Sequence, residues 1–314
     1  MILFLSLPGL KIEIHVYKIR REVVNFIFKI IGVFFCLILV YVIWQTWELQ
    51  QFNRTRYEIT SDKLTEKHKW LVISDLHLWQ YGKHNERLVE AIREEAPEAI
   101  LIPGDLIVHT ETQKFFVAEE LMEQLTQIAP VYLANGNHES RLEDPENENY
   151  EAYQQLKKCL QKLGVHFLNN EQEILRTGAD EIVISGLELP LDYYKKGVQT
   201  PLAADELVNC LGEADVSRYQ ILLAHTPKYV PEYFAWGADL SLSGHYHGGL
   251  VCIPGIGSII SPQFELFPKY RFVRFDEGGQ TALVSRGMGT HTFHVRIFNR
   301  SELLIVKAMP ADRN

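Results

Sequence analysis

The first fifty residues contain one long apolar run. From Ile30 to Trp47, eighteen residues carry no charged side chain, and a helix of that length is about 27 Å long, close to the hydrocarbon thickness of a bilayer. Lys and Arg outnumber Glu before the run, and Tyr41, Trp44 and Trp47 mark its far end. This pattern predicts a single-pass anchor in the cell membrane, with the remaining chain on the extracytoplasmic side. A cleaved signal peptide and a buried core helix are the alternatives.

A different pattern begins after residues 50–69, a polar stretch that we assign to a linker. Apolar runs of strand length occur at Trp70–Ser74, Ala99–Pro103 and Pro130–Ala134. Segments with helical spacing and charged faces separate them, at His84–Glu95 and Thr112–Ile128. Strands that alternate with helices predict βαβ units and a parallel sheet.

Further elements follow this repeating order. We expect a helix at 149–163 and strands near His166, at 173–175, at 182–185, at 220–224 and at 239–243. The last three runs, 271–275, 281–285 and 303–308, are expected to belong to a second sheet. The sequence thus predicts three regions: a cytosolic segment with the anchor at 1–49, the linker, and a catalytic α/β domain at 70–314.

Composition narrows the class of protein. The 314 residues are 46% apolar and 23% charged, which suffices for one large α/β domain. A formal charge of -9 and a pI near 5.8 argue against nucleic acid bound through phosphate attraction. The four cysteines are widely separated and form no CxxC motif, so neither a zinc knuckle nor a redox pair is predicted.

Eight residues with ligand or acid–base side chains occur in a characteristic order. They lie in Asp-Leu-His, Gly-Asp, Gly-Asn-His-Glu, a single His and Gly-His-Tyr-His, and they are Asp75, His77, Asp105, Asn137, His138, His225, His245 and His247. Two adjacent cations need anionic oxygen and neutral imidazole ligands from several loops, with one carboxylate able to contact both ions. The series therefore predicts a site for two divalent cations.

Position along the strands supports this prediction. Most of the motifs follow a predicted strand directly, and open α/β sheets bind ligands at the carboxyl ends of their strands. In Asp75–His77 and again in His245–His247, alternate residues of an extended backbone would share one side, so we expect two rigid pairs that face each other. Asp105 can bridge the cations and Asn137 offers a neutral oxygen. His138 is then available to contact the phosphate or the leaving oxygen.

The chain from about Lys69 to Ala308 resembles the calcineurin-like metallophosphoesterases. Gly-His-Tyr-His-Gly-Gly, Arg286-Gly-Met-Gly and Arg296-Ile-Phe-Asn-Arg-Ser-Glu further resemble the membrane-associated bacterial branch similar to YkuE. The resemblance implies an α/β fold, namely a four-layer αββα sandwich, here preceded by one transmembrane helix.

The resemblance also implies roles for the individual residues. The first cation would be held by Asp75, His77, Asp105 and His247, and the second by Asp105, Asn137, His225 and His245. His138 would be a catalytic residue that is not a ligand, serving as an acid or as a contact to the transition state. The cations would be manganese, iron, zinc or magnesium, and the residues do not discriminate among these metals.

One position departs from the family pattern. Many relatives have Gly-Asp-x-x-Asp, whereas this chain has Val108 at the last position, so a carboxylate that would orient its neighbours is missing. Purple acid phosphatases have Tyr there, and Val108 therefore argues against an iron(III)-tyrosinate centre. Six further histidines lack a motif partner, and we assign them packing or surface roles: His68, His84, His109, His166, His291 and His294.

These observations predict hydrolysis of a phosphate ester or phosphodiester by a metal-bridging hydroxide. Apolar loop sequences at 187–194 and 252–262 predict either ordinary loop packing or a lipid-facing rim beside the site. With the anchor, the second interpretation favours a membrane lipid as the phosphoester substrate. The alternatives are an enzyme that acts on nucleotides or nucleic acid, and a membrane scaffold without catalysis. Oligomeric state is left open.

Overall fold

The computed structural model describes residues 8–195, 200–203, 205–249, 251–253, 257–260, 274–290 and 294–311. The chain divides into two compact units, Met1–Glu48 and Leu49–Asn314. The first consists of most of one long helix, and the second contains the predicted site residues.

The long helix is α1, Pro8–Leu49. Its segment Tyr17–Leu49 contains an 18-residue window with a mean hydropathy of 2.8 and is long and apolar enough to cross a membrane. Large apolar side chains are exposed around this helix, including Phe34 and Phe35, and a helix that is apolar on all sides needs an apolar environment. Length and composition alone do not separate a membrane span from a signal sequence.

Six further α-helices and fourteen strands make up the described part of the second unit. The helices are α2 (Glu86–Glu95), α3 (Phe115–Leu125), α4 (Asn137–Ser140), α5 (Tyr150–Lys162), α6 (Glu206–Leu211) and α7 (Val230–Trp236). The strands are β1 (Phe52–Ser61), β2 (His68–Val72), β3 (Ala99–Pro103), β4 (Val131–Ala134), β5 (Val165–Phe167), β6 (Glu171–Thr177), β7 (Asp180–Leu187), β8 (Tyr219–Ala224), β9 (Leu240–Ser243), β10 (Val251–Ile253), β11 (Gly257–Ile260), β12 (Arg274–Glu277), β13 (Gln280–Val284) and β14 (Ser301–Pro310).

The strands form two mixed six-stranded sheets and one small hairpin. The first sheet has the order β1-β14-β2-β3-β4-β5 and the second has the order β12-β13-β9-β8-β7-β6, while β10 pairs with β11. Strands β2 to β5 run parallel, as do β7, β8, β9 and β13. The predicted α/β fold with consecutive βαβ units is therefore confirmed.

One strand belongs to a different sheet from the one expected. β14 was predicted for the second sheet, but it lies in the first, antiparallel to β2 and parallel to β1. Most of its residues are buried, because its two faces enter different apolar clusters: Leu303 and Ile305 belong to one, and Leu304 and Val306 belong to another. Sheet membership depends on such long-range pairing, which the local pattern does not contain.

The predicted linker at 50–69 is in fact largely a strand. β1 pairs with β14 from Phe52 opposite Ser301 to Ser61 opposite Pro310. It is an edge strand with mostly exposed or half-buried side chains, and this exposure explains its polar sequence. Only Gln50 and Gln51 separate the end of α1 from the beginning of β1.

Three apolar clusters fill the second unit. Leu71, Ile100, Leu88, Leu121 and Leu156 belong to the first, which joins the first sheet to α2, α3 and α5. The second lies between the sheets and includes Trp70, Val72, Leu101, Ile184 and Ile221. The third joins the second sheet to α6 and α7 and includes Leu222, Leu207 and Tyr233. Adjacent residues of one strand, such as Trp70 and Leu71, enter different clusters because side chains alternate across a strand.

Candidate metal centre

The predicted site residues lie where parallel strands of both sheets end. The segments that leave β2 and β3 remain hydrogen-bonded to each other beyond the strands: the Asp75 N–H donates to the Gly104 carbonyl and the His77 N–H to the Asp105 carbonyl, both at 3.1 Å. His225 follows β8, and the Gly244 N–H donates to the His225 carbonyl at 2.9 Å. The strand ends therefore form one connected surface.

The side chains meet as three groups of three. Each residue offers one ring nitrogen or carboxylate oxygen, and within a group these atoms all lie within 4.8 Å of one another. The groups are Asp75, His77 and His247; His77, Asp105 and His138; and Asp105, His225 and His245. Since His77 and Asp105 each belong to two groups, the three groups form one continuous buried cluster.

In the first group, two imidazoles face each other. His77 Nδ1 lies 3.3 Å from the Ile107 carbonyl oxygen, so this nitrogen donates and Nε2 keeps its lone pair. Nε2 of His77 is 3.2 Å from Nε2 of His247, which in turn is 3.4 Å from Asp75 Oδ1. Two imidazole nitrogens and a carboxylate oxygen at such distances fit a shared divalent cation.

The group around His225 contains buried acceptors that lack a donor. His225 Nδ1 donates to the Pro103 carbonyl at 2.8 Å, which leaves a lone pair on Nε2. Among the described residues, Oδ1 of Asn137 is buried without a hydrogen-bond partner, and the neutral His225 ring would point its Nε2 lone pair at another acceptor, Asp105 Oδ2, 3.1 Å away. A buried acceptor left unsatisfied costs about 1–3 kcal/mol. Both atoms therefore have the character of ligands for a cation.

Asp105 connects the groups through one of its two oxygens. Its Oδ1 accepts the backbone N–H of His138 at 2.9 Å. Its Oδ2 lies 3.1 Å from His225 Nε2 and 3.8 Å from His77 Nε2. Because one oxygen is anchored to the backbone, the other faces histidines of both outer groups, as a bridging carboxylate must.

The backbone at Asp75–His77 and at His245–His247 is not extended as expected but has positive φ at the four ligand positions. Five of the seven predicted ligands have positive φ, between 49° and 67°: Asp75, His77, Asp105, His245 and His247. Non-glycine residues adopt this left-handed region at a cost of order 1 kcal/mol or more each, and such strain concentrates at functional sites. His245 and His247 consequently turn into different groups instead of forming one pair.

Electrostatic coupling is strong in this cluster. Burial would raise the pKa of Asp105, but the imidazoles of His225, His138 and His77 lower it well below its ordinary value. Burial lowers the pKa of His225, yet Asp105 and Asp75 raise it to about 9. Burial and the neighbouring His225 lower the pKa of His245 well below its usual range. The buried carboxylates thus require nearby positive charge, which bound cations would also supply.

Glu139 holds the backbone around Asp105 in place, a role that its sequence motif did not predict. Its buried carboxylate accepts backbone N–H groups from Asp105 and Gly136, both at 2.9 Å, and from Ile107 at 3.1 Å. Burial and the charge of Asp105 raise the pKa of Glu139 to about 7. A Cβ at Gly136 would lie 2.3 Å from Asp105 Oδ1, so only glycine fits there. The Gly-Asn-His-Glu motif therefore also positions Asp105.

Arg296 and Asn299 are two further functional residues without a predicted role. The Arg296 side chain is buried and donates to four backbone carbonyls, those of Arg286, Gly287, Gly289 and Asn299, at 2.7–3.2 Å. Asn299 Nδ2 donates to the carbonyls of His247 and Gly249, both at 2.6 Å. The sequence signal for both residues is the motif Arg296-Ile-Phe-Asn-Arg-Ser-Glu, which resembles the bacterial branch but does not indicate a chemical role.

The segment that Arg296 holds lies against the backbone of Asp75. Its Gly289 N–H donates to the Asp75 carbonyl at 2.7 Å, and the Met288 N–H donates to the Ser74 carbonyl at 2.8 Å. A Cβ at Gly289 would lie 1.8 Å from the Leu76 carbonyl oxygen. The Arg286-Gly-Met-Gly segment therefore packs backbone to backbone against residues 74–76, and this contact supports the first group.

The other described histidines have different surroundings. His68 lies between Glu98 and Asp180, each at 2.8 Å, while His84 pairs with Glu120 and His166 with Glu173. His294 lies against the Trp79 ring, with centroids 5.6 Å apart, and His291 lies outside the described residues. His109 differs from these, because it contacts His138.

Comparison with known proteins identifies the family. A family model described as calcineurin-like phosphoesterase matches residues 68–249, which is more than half of the chain. The chain belongs to the calcineurin-like phosphoesterase family. The predicted resemblance is thereby confirmed, and it includes the YkuE-like branch, since YkuE of Bacillus subtilis (strain 168) is 24% identical over 76% of this chain and 77% of that protein.

Other proteins are similar to this chain over most of their own length. A metallophosphoesterase of Aquifex aeolicus (strain VF5) is 27% identical over 80% of this chain and 89% of its own. Phosphodiesterase YaeI of Escherichia coli (strain K12) is 26% identical over 62% of this chain and 66% of its own. Among solved structures, the phosphopantetheinyl hydrolase PptH from Mycobacterium tuberculosis aligns with a TM-score of 0.43 at 16% identity, over 70% of this chain and 89% of that chain.

Proposed function

We propose that this protein is a dinuclear metal-dependent phosphoesterase that hydrolyses phosphate esters or phosphodiesters. The observation that carries the proposal is the Asp105 junction, where one carboxylate oxygen faces imidazoles of two ligand groups. Similarity to phosphodiesterase YaeI of Escherichia coli favours diesters among the possible substrates.

Two divalent cations would be held by seven residues. Asp75, His77, Asp105 and His247 would bind the first cation, and Asp105, Asn137, His225 and His245 would bind the second. The orphaned acceptors of Asn137 and His225 support this assignment. When bound, the two cations would act as Lewis acids toward the phosphoryl oxygens and activate a water molecule for in-line attack.

The residues of the chain would fix the geometry of the reaction. Because Asp105 Oδ1 accepts the His138 N–H, the backbone that carries the catalytic histidine moves with the bridging carboxylate. His138 would donate from its ring to the phosphoryl or leaving oxygen, which places it as the catalytic residue. Asn137, one residue before, would hold the second cation, so one turn would carry both a ligand and the catalytic residue.

We further propose that this site is carried by a four-layer sandwich beginning near β1. The three apolar clusters, which alternate with the two sheets and their helices, support this architecture. Cell-membrane anchoring through α1, with an extracytoplasmic catalytic domain, is supported by the length and hydropathy of Tyr17–Leu49 and by the Lys and Arg residues before the apolar run.

A membrane lipid phosphoester is the proposed natural substrate. Two apolar side chains are exposed beside the ligand-bearing turns: Phe298 is 67% exposed and Ile253 is 41% exposed. Phe298 has a φ of 52° and precedes Asn299, which contacts the His247 backbone. An exposed aromatic residue held in a strained conformation so close to the site fits a contact with lipid.

Replacing Asp105 by Asn tests the metal assignment. The substitution keeps the size of the side chain and removes the charge that both cations would share, so metal content should fall below two equivalents. Turnover of a water-soluble phosphodiester should fall more than about 100-fold, beyond the loss typical of an outer ligand partner. The exposed Asp215→Asn variant is the control. Unchanged metal content and turnover in Asp105→Asn would reject the dinuclear site.

Replacing His138 by Gln separates a catalytic role from a ligand role. Both cations should remain bound while kcat falls by about 10²- to 10⁴-fold, the usual contribution of a proton donor. Metal analysis and steady-state kinetics on the same preparation provide the measurement, with His166→Gln as the matched surface control. Loss of one metal equivalent would instead make His138 a ligand.

Protease accessibility tests the orientation of the anchor. A protease added to intact cells should digest the domain beyond Gln50 while a cytosolic marker protein stays intact. Protection until the membrane is opened would reverse the orientation. A soluble form cleaved near Trp47 would show that the apolar run is a signal peptide.

Comparison of two forms of the protein tests the lipid substrate. The full-length protein in phospholipid vesicles should exceed the fragment from Gln50 onward in kcat/KM on a lipid phosphodiester, because tethering raises the effective concentration of lipid. Both forms should be equally slow on a nucleotide diester. Better activity on the nucleotide, without a gain from vesicles, would contradict the lipid proposal and leave the metal chemistry untouched.

A further inference from the structure

His138 receives two contacts at a single ring nitrogen. Its Nδ1 lies 3.1 Å from the backbone nitrogen of His109 and 2.9 Å from Nδ1 of the His109 ring. A backbone N–H can only donate, so His138 Nδ1 must be the acceptor and carries no proton. The neutral His138 ring therefore has its proton on Nε2.

The same logic assigns a proton to the His109 ring. If its Nδ1 were unprotonated, two lone pairs would face each other at 2.9 Å. His109 Nδ1–H therefore donates, and residue 109 offers two donors to one lone pair. The residue is itself held in place, since Asn149 Nδ2 donates to its carbonyl at 3.3 Å and a turn joins the Glu111 N–H to the Val108 carbonyl at 3.0 Å.

The His138 ring is also constrained on its other sides. Its own backbone N–H donates to Asp105 Oδ1, and its ring packs edge-to-face against His77 with centroids 4.9 Å apart. With position fixed by these contacts, the remaining freedom is rotation of the ring and the choice of protonated nitrogen. The two donors of residue 109 fix the rotation of the His138 ring and determine which of its nitrogens carries the proton.

We propose that His109 is a positioning residue that holds His138 in the Nε2–H tautomer and thereby aims an N–H donor at the phosphoryl or leaving oxygen. The inference rests on the proposed function of His138. In this tautomer His138 presents its Nε2–H to the developing negative charge.

The residue at position 108 affects which partner donates in the contact to His138 Nδ1. A carboxylate beside His138 could only accept, and it would draw the ring proton to Nδ1. This chain has the apolar Val108 there and supplies donors from the next residue instead.

Two substitutions at position 109 separate the ring donor from the backbone donor. His109→Ala keeps the backbone N–H and removes the ring, so kcat on a water-soluble phosphodiester should fall about 3- to 10-fold, the contribution of one neutral hydrogen bond. KM and metal content should not change. His109→Asn should restore kcat to near the wild-type value, because its amide N–H lies close to the place of the ring Nδ1–H. His166→Ala is the control.

A measurement independent of turnover decides the tautomer. The full-length protein, loaded with Zn²⁺ in detergent and labelled at histidine with ¹³C and ¹⁵N, should show the Nε2–H pattern for His138, identified by its loss in His138→Gln. His109→Asn should keep this pattern and His109→Ala should show a mixture of tautomers. An Nδ1–H pattern in the wild type, or an unchanged kcat in His109→Ala, would overturn the proposal. Absence of turnover in the wild type would overturn the proposed function alone, since the spectrum reports on the ring.

Discussion

Two carboxylates buried next to each other are the constraint on which the site depends. Asp75 is 0% exposed and Asp105 is 2% exposed, and neither charge could remain there without compensation. Each carboxylate uses one oxygen to accept a backbone N–H from a residue of the site: His245 donates to Asp75 and His138 donates to Asp105. The first sheet's carboxylates thus fix turns that carry other functional residues. Displacing either carboxylate would also displace a histidine, so the ligand set behaves as one unit.

The left-handed residues at the site add strain that the rest of the domain must offset. Five such residues at a cost of order 1 kcal/mol each are comparable with the whole free energy of unfolding of a typical domain, about 5–15 kcal/mol. Contacts from distant segments provide the compensation. Glu139 accepts three backbone N–H groups around Asp105, and Gly289 donates to the Asp75 carbonyl. Strained ligand turns are held by the hydrogen bonds around them and not by their own preferences.

The sequence predicted those features that follow from local pattern and from side-chain chemistry. Strands β2, β3 and β4, helix α5 and the meeting of the predicted ligands all follow from apolar periodicity and motif placement. The structure differs where partners lie far apart along the chain. β1 has the polar composition of a linker because it is an edge strand, and β14 joins the first sheet through a pairing that no local signal records. His109 has no motif partner, and only the fold shows that it reaches His138.

The path of the chain from the second sheet back to the first explains why the buried Arg296 lies beside the candidate metal-ligand cluster. After β13 the chain leaves the second sheet, and it enters the first sheet as β14. Between these two strands, the Gly289 N–H donates to the Asp75 carbonyl and Asn299 Nδ2 donates to the His247 carbonyl. Arg296 donates there to four backbone carbonyls. Burial of a guanidinium costs several kcal/mol unless its donors are satisfied, and apolar packing would stabilise the fold at least as well. An apolar side chain could not hold four carbonyls in one orientation. Arg296 therefore contributes rigidity to the turn against Asp75 and His247 more than it contributes stability, and the proposed two-cation site would require that rigidity.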